Sequence, residues 1–140
     1  MVKLHDLMPE TMTHLEEIME RGNSITGTPT GFSDLDELLS GLQPGTLNII
    51  GARPAMGKSA LAIGMAVNVA TITNKPVLFF SLEMGRAELS QRILSSEARV
   101  DSAKLRNGRL NDEDWRRIGR AIGRLSVPLY IDDNSALTVM

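Results

Sequence analysis

No cysteine occurs anywhere in this sequence of 140 residues, which removes disulfides and thiolate metal sites from consideration. A reducing cytoplasm is compatible with that absence. A surplus of positive charge is missing too. Fifteen basic side chains stand against seventeen acidic ones, for a formal net charge of −2. Compact nucleic-acid-binding modules usually carry a basic excess, so composition alone does not point to DNA. No apolar run approaches the roughly 20 residues needed to span a bilayer. The opening residues, MVKLHDLMPE, carry acids early and lack an uninterrupted apolar stretch, which argues against a signal peptide. What is present suits a single domain. Hydrophobic residues make up 42% and can build a core, and 23% charged residues cover a surface. The expected class is a soluble domain of the cytoplasm, with no internal repeat and no low-complexity segment.

The first segment has helical spacing. Met8, Met12, Leu15, Ile18 and Met19 recur at three- and four-residue steps, with Glu16, Glu17, Glu20 and Arg21 on the other side. Pro9 suits a first helical turn and Gly22 the residue just past the end. The run Gly22–Gly31 is rich in turn formers and reads as a linker. The helix is then either an ordinary core helix or a docking arm; its detachment favours the arm.

From Phe32 the texture becomes that of a folded domain. A short helix is expected around Asp34–Leu39, closed by Gly41, then a strand at Thr46–Ile50 and a buried helix at Ser59–Ala70. A second strand at Pro76–Phe80 is apolar on both faces, as in parallel sheets covered by helices on each side. Helix Glu88–Ala98 buries Leu89, Ile93 and Leu94. The next helix starts at Asn111 as N-cap, with Asp112, Glu113 and Asp114 at the positive dipole end and Leu110 stapled to Trp115. Trp115, Ile118, Ile122 and Leu125 form its expected buried stripe, and Val127–Ile131 the third strand. The sequence of elements is that of an α/β fold with a mainly parallel sheet.

Residues 52–59, Ala-Arg-Pro-Ala-Met-Gly-Lys-Ser, match the P-loop pattern except that Ala52 replaces the first glycine. The loop lies between a predicted strand and a predicted helix, the context that confirms the motif over a chance match. Gly57 lets the backbone approach phosphates. Amides around Met56–Ser59 converge at the positive end of the helix. Lys58 brings a mobile charge to the outer phosphates, and Ser59 a hydroxyl to bound Mg2+, whose other ligands are mostly water and phosphate. Downstream, Ser81-Leu82-Glu83-Met84 closes the second strand. Strand ends are where α/β sheets place ligand groups. Glu83 is there either to polarise a water attacking the γ-phosphate or simply as a solvated strand-end glutamate.

These residues resemble the DnaB-type replicative helicases. The likeness runs from about Met8 to the end. It is carried by Pro29-Thr30-Gly31-Phe32 with Asp34-Leu35-Asp36, Gly41-Leu42, Gly45, the P-loop, and Phe80-Ser81-Leu82-Glu83-Met84. Gly108 with Leu110, Asp114-Trp115 and Tyr130-Ile131-Asp132-Asp133 complete it. The Thr-Gly-Phe element, the Leu-Asp element and the P-loop also occur in recombinases and clock ATPases; the Ala-Arg-Pro loop and the Ser-Leu-Glu-Met strand end are more specific.

The resemblance implies a RecA-like P-loop fold, truncated here, preceded by an N-terminal linker helix. It places the linker helix and connector at residues 1–24 and the first part of the ATPase domain at 25–140. It implies ATP and Mg2+ at subunit interfaces of a homo-hexamer, with Glu83 and Lys58 catalytic and Ser59 on the metal. Arg53, Ala55, Met56, Gly57, Lys58, Ser59 and Arg92 are the implied nucleotide contacts, although Arg53 can equally serve packing or a neighbour. It also implies a linker helix docked on the adjacent subunit, single-stranded DNA in the channel, and primase and loader proteins as partners, with no membrane.

Tyr130-Ile131-Asp132-Asp133 imitates a Walker B strand. In the family this stretch precedes the true one, which has an Ile-Asp-Tyr-Leu-Gln type sequence, and none occurs before Met140. The sensor glutamine, arginine finger and DNA-binding loops are absent as well. The expectation is a piece of a longer motor. The function expected is ATP-driven translocation on DNA at the replication fork. The alternatives are a nucleotide-binding or subunit-docking piece without turnover, and another RecA-like ATPase.

Overall fold

The computed structural model describes residues 2–22 and 25–134. Asn23 and Ser24, part of the expected linker, lie outside the described residues. The chain groups into two compact units, Met1–Asn48 and Ile49–Met140. No helix among the described residues is long and apolar enough to cross a membrane.

The first unit opens with α1 (Leu4–Arg21), which contains the methionine-rich stripe. It begins before Pro9, so the proline sits inside the helix instead of in its first turn. The ring removes one backbone bond there, and the rest of this 18-residue helix outlasts the loss. Asp6 lies in the first turn, at the positive end of the dipole. Gly22 closes the helix in the left-handed region (φ 58°), its N–H donating to the Met19 carbonyl. Met8, Met12, Leu15 and Met19 are exposed, while Ile18 is half-buried.

The turn-rich run is not a free linker beyond Ser24. Thr28 and Leu42 exchange both backbone hydrogen bonds as an antiparallel bridge. Gly27 is packed so closely that a Cβ would lie 2.6 Å from the Leu42 carbonyl oxygen. Helix α2 (Ser33–Leu39) comes next, closed by Ser40 and Gly41 in left-handed conformations. Its buried Asp36 accepts the Thr30 N–H at 2.7 Å and the Gly31 N–H at 3.1 Å. Burial would raise the Asp36 carboxyl. The Thr30 N–H, its hydroxyl and the Gly31 N–H outweigh that and hold it below the usual carboxylate value. Thr, Gly and Asp, read one at a time as turn formers, are here one hydrogen-bonded knot.

In the second unit, α3 (Lys58–Thr73) leads to β1 (Val77–Phe80), α4 (Arg86–Ala98), α5 (Ser102–Asn107), α6 (Asp112–Arg124) and β2 (Leu129–Asp132). The two strands pair in parallel, Val77 opposite Leu129 and Phe80 opposite Asp132. Phe79, Leu129 and Ile131 lie against a core of Ile63 and Val67 from α3 and Leu89 and Ile93 from α4. Fully burying Leu89 is worth about 1.5–3 kcal/mol. A second cluster joins Ala98 and Val100 to Ile118 and Ala121 of α6, with Leu94, Leu105 and Leu110 around it.

Several expectations need correction. Thr46–Ile50 forms no strand, and Leu47 and Ile49 are 86% and 84% exposed. An extended segment becomes a strand only when a neighbour takes its backbone donors and acceptors, and β1 and β2 pair with each other. The sheet is covered on one face only among the described residues; Leu78, Phe80 and Tyr130 on the other are exposed. Helix α6 buries Ile118, Ala121 and Asp114, whereas Trp115 (60% exposed) and Ile122 point outward. Leu110 packs on the second cluster, not under a buried Trp115. Helix α5, between Asp101 as side-chain cap and Gly108 at φ 67°, stands where no element is expected from the sequence.

The start of α6 is as expected and stronger. Asn111 Oδ1 accepts the Asp114 N–H at 2.7 Å, and Asp114 Oδ2 accepts the Asn111 N–H at 3.3 Å, a complete capping box. Lys104 Nζ lies 2.9 Å from the same Asp114 oxygen. The Lys104 bond first, then the Asn111 N–H, hold Asp114 below the usual carboxylate value despite its burial, helped by the charges of Lys104 and Arg117.

Two outcomes are expected from this packing, both read by urea denaturation of the chain. Asn111→Ala should cost about 1 kcal/mol and Ile118→Ala about 2–5 kcal/mol, while Trp115→Ala should cost far less than Ile118→Ala. The second outcome concerns acid. Carboxyls whose folded value is depressed add stability above their unfolded value, about 3.9, and lose it as pH falls toward the folded one. Stability should therefore drop as pH is lowered from about 5 to 3, and Asp36→Asn should flatten that limb while lowering stability at neutral pH.

Candidate nucleotide site

Arg53, Pro54, Ala55 and Met56 make a reverse turn, with the Met56 N–H donating to the Arg53 carbonyl at 3.3 Å. Proline at the second position and a positive φ at the third is the pattern of a type II turn. Ala55 occupies that third position at φ 62°, where glycine is usual. Holding a Cβ there costs about 1–2 kcal/mol, strain of the kind found at ligand loops. Gly57 is next, at φ 85°, as N-cap of α3, and no side chain caps that helix. The first helical bond runs from the Leu61 N–H to the Gly57 carbonyl at 2.9 Å. The amides of Lys58, Ser59 and Ala60 thus have no acceptor within the helix and add to its positive end.

This turn forms one wall of a cleft of about 470 Å³. Every residue singled out from the sequence lines it: Arg53, Ala55, Met56, Gly57, Lys58, Ser59, Glu83 and Arg92. Lys58 Nζ stands 4.0 Å from Glu83 Oε1, both side chains well exposed. Arg92 Nη2 and Nε reach Glu88 Oε1 at 2.8 and 3.1 Å, an ordinary pair one turn apart on α4. Met84, part of the Ser-Leu-Glu-Met element but not among the implied nucleotide contacts, lines the cleft and packs on the first core cluster. A larger recess, about 650 Å³, lies elsewhere, among Arg99, Arg117, Arg120 and Arg124. It has charge but neither a glycine-rich loop nor a helix N-terminus. Arg117 pairs with Glu113, and Arg124 donates to the Glu97 carbonyl.

The Ser81–Met84 segment is braced by its own first side chain. The buried Ser81 hydroxyl donates to the Met84 carbonyl at 2.7 Å and accepts the Met84 N–H at 3.2 Å. The Walker-like acids have structural bonds. Asp132 Oδ1 accepts the Asn134 N–H at 2.9 Å. Asp133 Oδ2 accepts the Arg86 N–H at 2.9 Å, and Arg86 Nε lies 3.8 Å from its other oxygen. The Arg86 N–H first, against partial burial, then the Arg86 charge and its own backbone N–H hold Asp133 below the usual carboxylate value.

Comparison with known proteins agrees with this geometry. Residues 27–140 match the sequence profile described as DnaB-like helicase C terminal domain. The chain is 43% identical over 140 residues to the replicative DNA helicase DnaB of Leifsonia xyli subsp. xyli, covering 99% of this chain and 31% of that protein. It is 42% identical over 137 residues to the replicative DNA helicase DnaB of Geobacillus stearothermophilus, covering 97% and 30%. The chain thus spans about a third of the length of these relatives. Among solved structures, one described as an ATPase domain superposes with a TM-score of 0.84 at 32% identity, covering 92% of this chain and 46% of that one. A DnaB-like replicative helicase, described with its interactions with primase, gives 0.80 at 31% identity, covering 96% and 32%. The fold is that of a RecA-like ATPase, and the chain belongs to the DnaB-like helicase C-terminal domain family.

Proposed function

We propose that this chain supplies the nucleotide-binding wall of an ATP-driven replicative DNA helicase, with residues 1–24 as linker arm and 25–140 as the first part of the ATPase domain. The observation that carries this reading is the juxtaposition of Lys58, at the open N-terminus of α3, with Glu83 across a single cleft. The loop amides and Lys58 bind the triphosphate, and helix N-termini favour such anions. Glu83 accepts a proton from water as the water oxygen bonds to the γ-phosphorus and the bond from that phosphorus to the β-phosphate oxygen breaks, releasing the diphosphate. Its reach to Lys58 fits that place, because an incoming phosphate would compete for the same ammonium group.

Magnesium fits the donor set in one specific sense. No cluster of three or more acidic, His or Cys groups able to hold a metal exists among the described residues. A hard cation that keeps phosphate and water ligands is what the Ser59 hydroxyl suits. Bound there, the ion would neutralise charge on the phosphates. Arg53 and Arg92 complete the proposed nucleotide contacts, Arg92 by exchanging Glu88 for phosphate.

The partners proposed are five further copies of the chain's parent, single-stranded DNA, primase and a loader, all in the cytoplasm; the relative described with primase supports the third. Helix α1 supports the ring. Its stripe of Met8, Met12, Leu15 and Met19 remains exposed, at roughly 1.5–3 kcal/mol per side chain if buried. Methionine suits an adaptable docking surface, and a head-to-tail contact of this kind closes into a ring.

In the full-length protein, Lys58→Ala should weaken ATP binding by more than about tenfold, measured by calorimetry. Glu83→Gln should retain binding and lower turnover by about 10²–10⁴. Hydrolysis at the unmodified rate in Glu83→Gln would overturn the assignment. A chain that binds nucleotide but never turns it over, with or without single-stranded DNA, would favour a non-catalytic role.

The arm is tested separately. Replacing Met12, Leu15 and Met19 with Ser should convert hexamers into smaller species by light scattering. A ring that stays fully hexameric would refute the docking role.

A further inference from the structure

Glu83 sits in a connection whose two ends are tied to consecutive residues of one strand end. At the front, the Ser81 N–H donates to the Asp132 carbonyl at 2.8 Å, extending the parallel ladder by one bond. At the back, the Arg86 N–H donates to Asp133 Oδ2 at 2.9 Å. That second bond is unusual in origin. The N-cap residue of α4 is Gly85, which has no side chain to cap with. The capping carboxylate comes instead from 47 positions away in the chain. A Cβ at Gly85 would stand 3.7 Å from the same Asp133 oxygen, so the Asp133 carboxylate lies close against the backbone there. Between the ties, the Ser81 hydroxyl holds Met84 by both its N–H and its carbonyl. The Glu83 side chain itself is 74% exposed, with Lys58 at 4.0 Å. Little besides its backbone can therefore determine where its carboxylate points.

From this arrangement we infer that Asp133 is a positioning residue for Glu83, acting as a cap on α4 from the segment that follows β2 and not as a metal ligand. The inference rests on the proposed reading of Glu83 as the base. Releasing the Arg86 N–H frees the first turn of α4 and with it the C-terminal end of the Ser81–Gly85 connection, and a base displaced by about 1 Å loses much of its effect. Ser81 acts on the same segment from the other end. Neither side chain needs to touch the nucleotide.

The test uses the full-length protein, with ATP turnover normalised to the number of nucleotides bound. Asp133→Ala should lower kcat by about 10- to 100-fold while KM for ATP stays within about twofold. Asp133→Asn, whose amide oxygen still accepts the Arg86 N–H, should restore most of the loss; a metal ligand would not be rescued this way. Ser81→Ala should lower kcat in the same direction, with no change of charge. In a Glu83→Gln background, Asp133→Ala should add no further loss, because a residue acting only through Glu83 is non-additive with it. Hydrogen exchange at the Arg86 amide should quicken in Asp133→Ala and not in Asp133→Asn.

Three results would overturn the inference: undiminished kcat in Asp133→Ala, an Asn variant as impaired as Ala, or an equal further loss in the Glu83→Gln background. Full turnover in Glu83→Gln alone would remove the base, and the positioning role with it. Faster Arg86 exchange in Asp133→Ala would then still identify the tie as real.

Discussion

Parallel pairing of β1 with β2 is the constraint through which the site is assembled. Two short strands, far apart in sequence, are brought into register so that Phe80 faces Asp132. Because the strands are parallel, both end at the same edge, and the segments leaving them meet there. Strand β1 runs out into Ser81–Met84, and β2 into Asp133. Helices α3 and α4 pack on one face of this pair through Ile63, Val67, Leu89 and Ile93. That packing sets the start of α3, with Lys58, near Glu83. Slipping the pairing by one residue would turn either Phe79 or Ile131 out of the core and offset the two strand ends.

The proposed nucleotide contacts are concentrated where local backbone geometry is least comfortable. Ala55 holds a left-handed conformation and Gly57 another, directly before a helix whose first amides have no internal partner. Strain in the turn and open donors at the helix start are both unfavourable in isolation. They are held by the well-packed body of α3 behind them, where Ala70 is fully buried. An anionic ligand would relieve the second cost directly. The same division of labour recurs at α4, whose start is capped by a residue from another element and whose body is locked into the core.

The exposed apolar surfaces have a common theme. One face of the β1–β2 pair, the segment around Leu47 and Ile49, and the stripe of α1 are all apolar and uncovered among the described residues. Exposed apolar surfaces of this kind are what protein contacts, ligand grooves and aggregation all draw on. Trp115 and Ile122 on α6 belong with them: helical periodicity groups them in one stripe with Ile118, yet the face of Ile118 and Ala121 is the one that meets the core. Small Ala121 wins because it sits in the cluster where α6 packs on the end of α4, which a spacing argument cannot weigh.

Local signals are legible in the sequence. Asn111 and Asp114 are a readable cap because a capping box involves residues three apart, and Gly57-Lys58-Ser59 is readable because the proposed phosphate loop is one turn and one helix start. Pro54 and the Ser-Leu-Glu-Met run are equally local. Long-range matters are not legible. Thr30 and Asp36 read as turn and helix residues because their hydrogen bond spans six positions across the start of α2, a spacing that neither helical nor strand periodicity reports. Thr46–Ile50 has strand composition, but a strand is a property of two segments and needs a hydrogen-bonding neighbour. Asp133 reads only as a tempting acid, since its partner, the Arg86 N–H, is a backbone group that any residue but proline would supply. Sequence alone determined which chemistry could occur, through side chains whose roles are set within a turn. Tertiary structure decided which acids serve as caps, which faces are buried and where Glu83 stands, because those depend on contacts between segments that only folding brings together.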